Sequence, residues 1–120
     1  MLKENLIAEK SRKFAVRIIK LRRYLAENYK EWVLSDQICR SGTSIGANIR
    51  EAYRAQSDAD FISKLHIALK EADETAYWLE ILHDTDYINT PLYNSLNSDC
   101  DEIIRILTAI LKTKKENQIK

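Results

Sequence analysis

The sequence predicts an all-α protein, an antiparallel up-down-up-down four-helix bundle, and three observations predict it. Turn residues are scarce: the 120 residues include only two Gly and one Pro, too few for the many turns of a β fold. Hydrophobic residues make up 45% of the chain and charged residues 31%, enough to build a core and too apolar for a disordered chain. Apolar residues also recur at steps of three and four in four successive stretches, the spacing of one helix face.

Helix 1 is expected over about residues 5–28, where Ile7, Ser11, Phe14, Ile18, Leu21 and Leu25 form a heptad seam. Asn28-Tyr29-Lys30-Glu31 supplies a break. Helix 2, over about 35–55, is expected to start with Ser35 as its N-cap and to bury Leu34, Ile38, Ser41, Ile45, Asn48 or Ile49, and Ala52. Helix 3, over about 58–83, has Ser57 as cap with Asp60 three residues on, a variant of the capping box. Its seam is Phe61, Leu65, Ala68, Ala72, Thr75, Leu79 and Leu82. Helix 4, over about 90–115, begins at Thr90-Pro91, a cap followed by Pro in the first helical position. Leu92, Leu96, Cys100, Ile103, Leu107 and Ile110 follow, and the polar tail after Lys112 is expected to fray. No linker or repeat divides the chain, so residues 1–120 are expected to form one domain.

Helix 2 contains the least ordinary stretch. Gly42 and Gly46 each cost a helix interior about 1 kcal/mol relative to Ala, yet the apolar period runs unbroken across them. No strand precedes them and no Gly-Lys-Ser/Thr ends the run, so a phosphate-binding loop does not fit. The favoured reading is close packing of another helix at Gly42 and Gly46, with Ser41, Ser44 and Asn48 beside the contact and able to hydrogen-bond across it.

Charge is unevenly distributed beneath a formal net of +1. Residues 1–30 hold nine basic and three acidic residues, whereas residues 61–90 hold two basic and six acidic. The simpler reading is attraction between neighbouring elements. The sharper one is a nucleic-acid interface of Arg12, Lys13, Arg17, Lys20, Arg22 and Arg23 on helix 1, binding RNA or DNA phosphates.

The other polar groups point away from catalysis. Glu80-Ile81-Leu82-His83 offers one Glu-x-x-His, but Ser63 stands three residues before His66, the only other histidine, so a di-iron bundle site lacks its second half. The Arg-x4-His of bundle-shaped ribonucleases is also missing. No catalytic residue, metal or cofactor is expected. Asn48, Glu51, Glu71, Glu74 and Thr75 are candidates for a buried polar network that fixes helix register. Cys39 and Cys100 are expected as buried thiols and not as a disulfide. Trp78, at the edge of the helix 3 seam, and Tyr77 are candidates for a subunit interface. No apolar run nears the roughly 20 residues needed to cross a bilayer. The first ten residues carry Glu4 and Glu9 where a signal peptide would be apolar, so a cytoplasmic protein without a membrane partner is expected.

The run Gln37-Ile38-Cys39-Arg40-Ser41-Gly42-Thr43-Ser44-Ile45-Gly46-Ala47-Asn48-Ile49-Arg50-Glu51-Ala52 resembles the signature of a bacterial four-helix-bundle family. So does the continuation from Ser57 through Asp60-Phe61, Lys64-Leu65, Lys70-Glu71-Ala72 and Tyr77-Trp78-Leu79. These are the proteins related to those encoded in intervening sequences of 23S ribosomal RNA genes, often labelled ribosomal-protein-like. The resemblance implies a four-helix bundle assembled into a ring-shaped homopentamer. It extends more distantly to the pentameric accessory proteins of diversity-generating retroelements, which engage a reverse transcriptase and nucleic acid. It supplies no catalytic residues. The expected function is a non-enzymatic homo-oligomeric scaffold with RNA or other nucleic acid at basic helix 1; the alternative is an oligomeric surface for a protein partner.

Overall fold

Four helices account for nearly all of residues 3–119, which are described by a computed structural model. They are α1 (Lys3–Tyr29), α2 (Val33–Ala52), α3 (Asp58–Asp84) and α4 (Thr90–Ile119). Each is too amphipathic to be stable alone and buries one seam against the others. On α1, Ile7, Ser11, Phe14, Ile18, Leu21 and Leu25 are all buried, matching the heptad reading residue for residue. On α3 the seam from Leu65 to Leu82 is buried as expected, with Phe61 partly so. On α2 it is Ile49, not Asn48, that enters the core, and on α4 Leu111 is buried more deeply than Ile110.

Contacts run α1–α2, α2–α3, α3–α4 and α1–α4, with none across either diagonal, so the helices stand at the corners of a square. The bundle measures 52 × 23 × 23 Å. Its thinnest seam is α1–α4. Neighbouring helices attract each other through ion pairs, as the simpler reading of the charge pattern has it. But α1 and α3 occupy opposite corners, so the basic first segment and the acidic third pair with α2 and α4 and not with each other.

The helix boundaries differ from expectation where a side chain further upstream takes over. Ser35 does not cap α2. The Glu31 carboxylate accepts from the N–H groups of Leu34 and Ser35 at 3.0 and 2.9 Å, and this starts the helix two residues earlier. Ser35 lies inside it, fully buried, donating its hydroxyl to the Glu31 carbonyl at 2.7 Å. Ser57 caps α3 in extended conformation, accepting from the Asp60 N–H at 3.1 Å. At α4 the cap is Asn89, whose Oδ1 accepts from the Leu92 N–H at 2.9 Å. Thr90 is therefore already helical, and its hydroxyl meets His83 Nε2 at 3.0 Å. The tail continues as helix to Ile119 because Lys114 pairs with Asp58 at 3.0 Å and lies over the Phe61 ring.

The two turns at the α1–α2 end show where the glycines are not. Lys30 (φ 54°) and Asp86 (φ 67°) take the left-handed conformation that glycine usually supplies. After α3, the N–H groups of Asp86 and Tyr87 return to the carbonyls of His83 and Leu82, a Schellman closure made without glycine, and after α1 the Lys30 N–H returns to the Ala26 carbonyl, the simpler left-handed closure.

The chain's two glycines instead sit where α2 approaches α1. A Cβ on Gly42 would lie 2.8 and 2.9 Å from Cγ2 and Cγ1 of Ile18, a buried and β-branched side chain with little freedom to turn. A Cβ on Gly46 would lie 3.3 Å from Ser11 Oγ and 3.6 Å from the Ser11 carbonyl carbon. Backbone meets backbone there, over a short polar side chain.

Opposite outcomes are predicted for the two glycines. Gly42→Ala gains about 1 kcal/mol of helix propensity but overfills the Ile18 contact at a cost of about 1–3 kcal/mol, so it should destabilise the bundle on balance. Gly46→Ala asks only a small shift of Ser11 and should be neutral or stabilising within about 1 kcal/mol. Urea unfolding of both variants checks this; a Gly42→Ala protein more stable than Gly46→Ala contradicts it. Lys30→Gly, which relieves the left-handed residue, should stabilise by about 1 kcal/mol in the same assay. The thiols should also divide. Cys100 is buried and donates to the Ala72 carbonyl at 3.3 Å, and burial pushes its pKa up to about 12, whereas Cys39 is only half-buried, short of the full burial expected. A thiol reagent should label Cys39 in the native protein and Cys100 only on unfolding. Since an unfolded thiol ionises near its ordinary value of 9.0, stability should be full below that pH and fall as pH rises toward 12.

Candidate functional site

Helix α1 carries the candidate cations, and most of them are tied to carboxylates of the same molecule. Arg17 donates to Asp99 on α4 at 2.7 Å. Arg22 holds Asp36 on α2 through two nitrogens at 3.0 and 2.7 Å, and that hydrogen bond raises the guanidinium's pKa further above its ordinary range. Arg12 and Lys13 share the single carboxylate of Glu9 at 3.4 and 3.3 Å. Lys10, outside the predicted set, pairs with Glu102 on α4 at 2.8 Å. Among the described residues, Lys20 and Arg23 have no ion-pair partner. These pairs are solvent-exposed and each contributes modestly to stability. They do settle which cations already have an anion nearby.

The residues expected beside the glycines divide between two helices. Gly42 and Gly46 face α1, but Ser41 points to α3, where it receives the Thr75 hydroxyl at 2.8 Å in a fully buried pair. Ser44 donates to the Arg40 carbonyl and Asn48 to the Ser44 carbonyl, at 2.7 and 2.8 Å, both within α2. Neither bonds across the contact. A short polar side chain on a helix finds the carbonyl one turn back before it finds a neighbour.

The expected polar network does not assemble either. Glu51 pairs with Lys64 at 3.2 Å, Asn48 stays on its own helix, and Thr75 donates to Ser41 as well as lying 2.8 Å from the Glu71 carbonyl. The carboxylates of Glu71 and Glu74 converge on Arg40 of α2, a residue absent from the expected set. Trp78 Nε1 also reaches Glu74, at 3.4 Å. Arg40 is thus the organiser of the α2–α3 rim. Its signal was present in the sequence as a cation preceding the small-residue run, but its partners lie more than thirty positions away.

Two outward faces emerge from this accounting. On α1, Lys13, Val16, Ile19, Lys20 and Arg23 are exposed, Val16 by 43%. On α3, Ile67, Asp73, Tyr77, Glu80 and Asp84 are exposed, with Tyr77 53% exposed and ring-to-edge against Trp78, and with the three carboxylates on the side toward α4. Trp78 itself is only half-buried, packed on the core rim. Burial, and then the nearby carboxylates of Glu80 and Asp84, raise the pKa of Tyr93 on α4. His83 stacks on Tyr93 and meets Thr90, so it serves the α3–α4 junction. Among the described residues no group of three or more His, Cys, Asp or Glu is placed to hold a metal ion, and no helix is long and apolar enough to cross a membrane.

Comparison with known proteins agrees with the fold. A crystal structure of a protein of unknown function from the S23 ribosomal protein family of Bacteroides thetaiotaomicron is 58% identical, with a TM-score of 0.91 over 92% of this chain and 99% of that one. No protein of curated function matches. Residues 3–109, which include α1, α2, α3 and most of α4, match the family described as 23S rRNA-intervening sequence protein. The chain is a member of that family.

Proposed function

We propose that the protein is a non-enzymatic, cytoplasmic scaffold that assembles from identical copies through the outward faces of α1 and α3. One observation carries this reading: α1 and α3 stand at opposite corners of the square, each exposes apolar side chains, and the exposed charges beside them are mostly of opposite sign. Val16 and Ile19 on α1 are bordered by Lys13, Lys20 and Arg23. Ile67 and Tyr77 on α3 are bordered by Asp73, Glu80 and Asp84, with Lys70 as the one basic residue between them. Faces this far apart cannot meet within a chain. Between chains they make a head-to-tail contact, which closes into a ring when the rotation per subunit permits. The family resemblance favours a ring of five.

Opposite charge on such faces steers association and fixes register, while the apolar centres supply the area removed from water. A protein partner with an acidic, aromatic helix would fit the α1 face by the same chemistry, and is the alternative. Contact of α1 with RNA or DNA has less support, because Arg12, Lys13, Arg17 and Arg22 already have carboxylates and only Lys20 and Arg23 do not.

Light scattering across a concentration series tests the assembly. Wild-type protein should be multimeric. Lys20→Glu/Arg23→Glu and Asp73→Lys/Glu80→Lys should each weaken assembly at least about tenfold, or about 1.4 kcal/mol. Combining all four substitutions in one chain restores opposite charge and should recover much of the loss. A monomeric wild type, or charge reversals that leave the mass unchanged, would overturn self-assembly through these faces.

A further inference from the structure

The surface between α1 and α2 holds a groove of about 770 Å3. Its floor is a product of the glycine contact. Where Gly46 lets α2 approach the α1 backbone, the flanking positions are Ala15 on α1 and Ala47 on α2, so no long side chain fills the space. Three arginines line the groove: Arg12 from α1, Arg50 from the last turn of α2, and Arg54 from the connection that follows. Only one carboxylate, Glu51, shares the lining, and it is drawn to Lys64 on α3 at 3.2 Å. Arg12 has half a claim on Glu9, which Lys13 also contacts. Among the described residues Arg50 and Arg54 form no ion pair.

This is unusual for the molecule. The other arginines of α1 and α2 that face a neighbouring helix, Arg17, Arg22 and Arg40, each have a carboxylate on that helix. Arg50 in the last turn gains something from the carbonyl end of α2, but that does not account for Arg54 or for Arg12 on another helix. Arginine's planar fork of donors matches phosphate oxygens, two N–H groups to one phosphate. The size lies within the usual range of ligand clefts.

We propose that this groove binds phosphate groups, with Arg12, Arg50 and Arg54 as the ligating side chains and the Gly46–Ala47 floor admitting the rest of the ligand. The phosphates belong either to the backbone of a single-stranded nucleic acid or to a small phosphate ester; the guanidinium chemistry is the same for both. Arg50 and Arg54, on α2 and the connection after it, lie outside the residues proposed for self-assembly, and Arg12 adjoins the α1 face one turn before Val16.

Fluorescence anisotropy with a short labelled oligouridylate at about 50 mM salt tests it. Three proteins are compared: wild type, Arg50→Ala/Arg54→Ala, and Arg105→Ala/Lys112→Ala, which removes the same charge from the exposed face of α4. Circular dichroism melting establishes that each is folded. The wild type should bind, the groove variant should lose at least about tenfold in affinity, and the α4 variant should stay within about twofold. The slope of log affinity against log salt should also fall by about 1.4 for the groove variant, the share of two phosphate contacts on a single strand. Calorimetric titration with inorganic pyrophosphate separates the two sources: an affinity equal to or above that for the oligouridylate identifies a small phosphate compound as the ligand class, and a weaker one identifies the nucleic-acid backbone. Equal losses in both variants, or no binding by the wild type of either oligouridylate or pyrophosphate, would overturn the proposal.

Discussion

The cross-section of this bundle depends on how near α1 lies to α2. With a Cβ at Gly42 already inside the contact limit of Ile18, neither helix can carry a larger residue there without moving apart. That approach permits Ile18 and Ile45 to be fully buried on facing helices, and it turns Ser41 away from α1 to the buried hydroxyl pair with Thr75. A satisfied buried pair of this kind contributes about 1 kcal/mol net and would cost more if one partner lost its mate. So α2 is held on two sides, by steric fit to α1 and by hydroxyl contact to α3. The α1–α4 seam, the thinnest, is bridged by Arg17–Asp99 and Lys10–Glu102.

The same constraint places the charges. Holding α1 and α3 at opposite corners keeps their exposed charges from meeting within the chain, while other charges of the two helices pair with α2 and α4. The glycine contact also leaves a shallow floor on the outer side of α1 and α2, beneath Arg12, Arg50 and Arg54. The surface proposed for assembly and the groove both follow from a helix pairing decided by two missing side chains.

Much of the fold was legible because burial follows helical period. The seams of α1 and α3 could be read one residue at a time, and Ser57 was a cap both in pattern and in place. The starts of α2 and α4 were not legible to the residue, because Glu31 holds the N–H groups of Leu34 and Ser35 and opens α2 upstream of Ser35, and Asn89 takes the Leu92 N–H that a Thr90 cap would have reached. The tail's helix was hidden because Lys114 finds Asp58, which sequence distance conceals. The site was less legible still. Charge asymmetry between the first and third segments could be counted, but whether they touch is a question of topology. Counting also overstated the cations of α1, since Asp99 and Asp36 come from other helices. Arg50 and Arg54 were passed over because isolated arginines carry no motif, and only the packing of α1 against α2 brings Arg12 beside them.

The central claim is that the outward faces of α1 and α3 meet between copies, and hydrogen exchange across a protein-concentration series tests it most directly. On raising concentration, amides of α1 around Val16–Arg23 and of α3 around Asp73–Glu80 should gain protection together, while those on the outer side of α4 around Asp101–Arg105 stay unchanged. Protection gained on α4 instead, on only one of the two faces, or nowhere at all would contradict it.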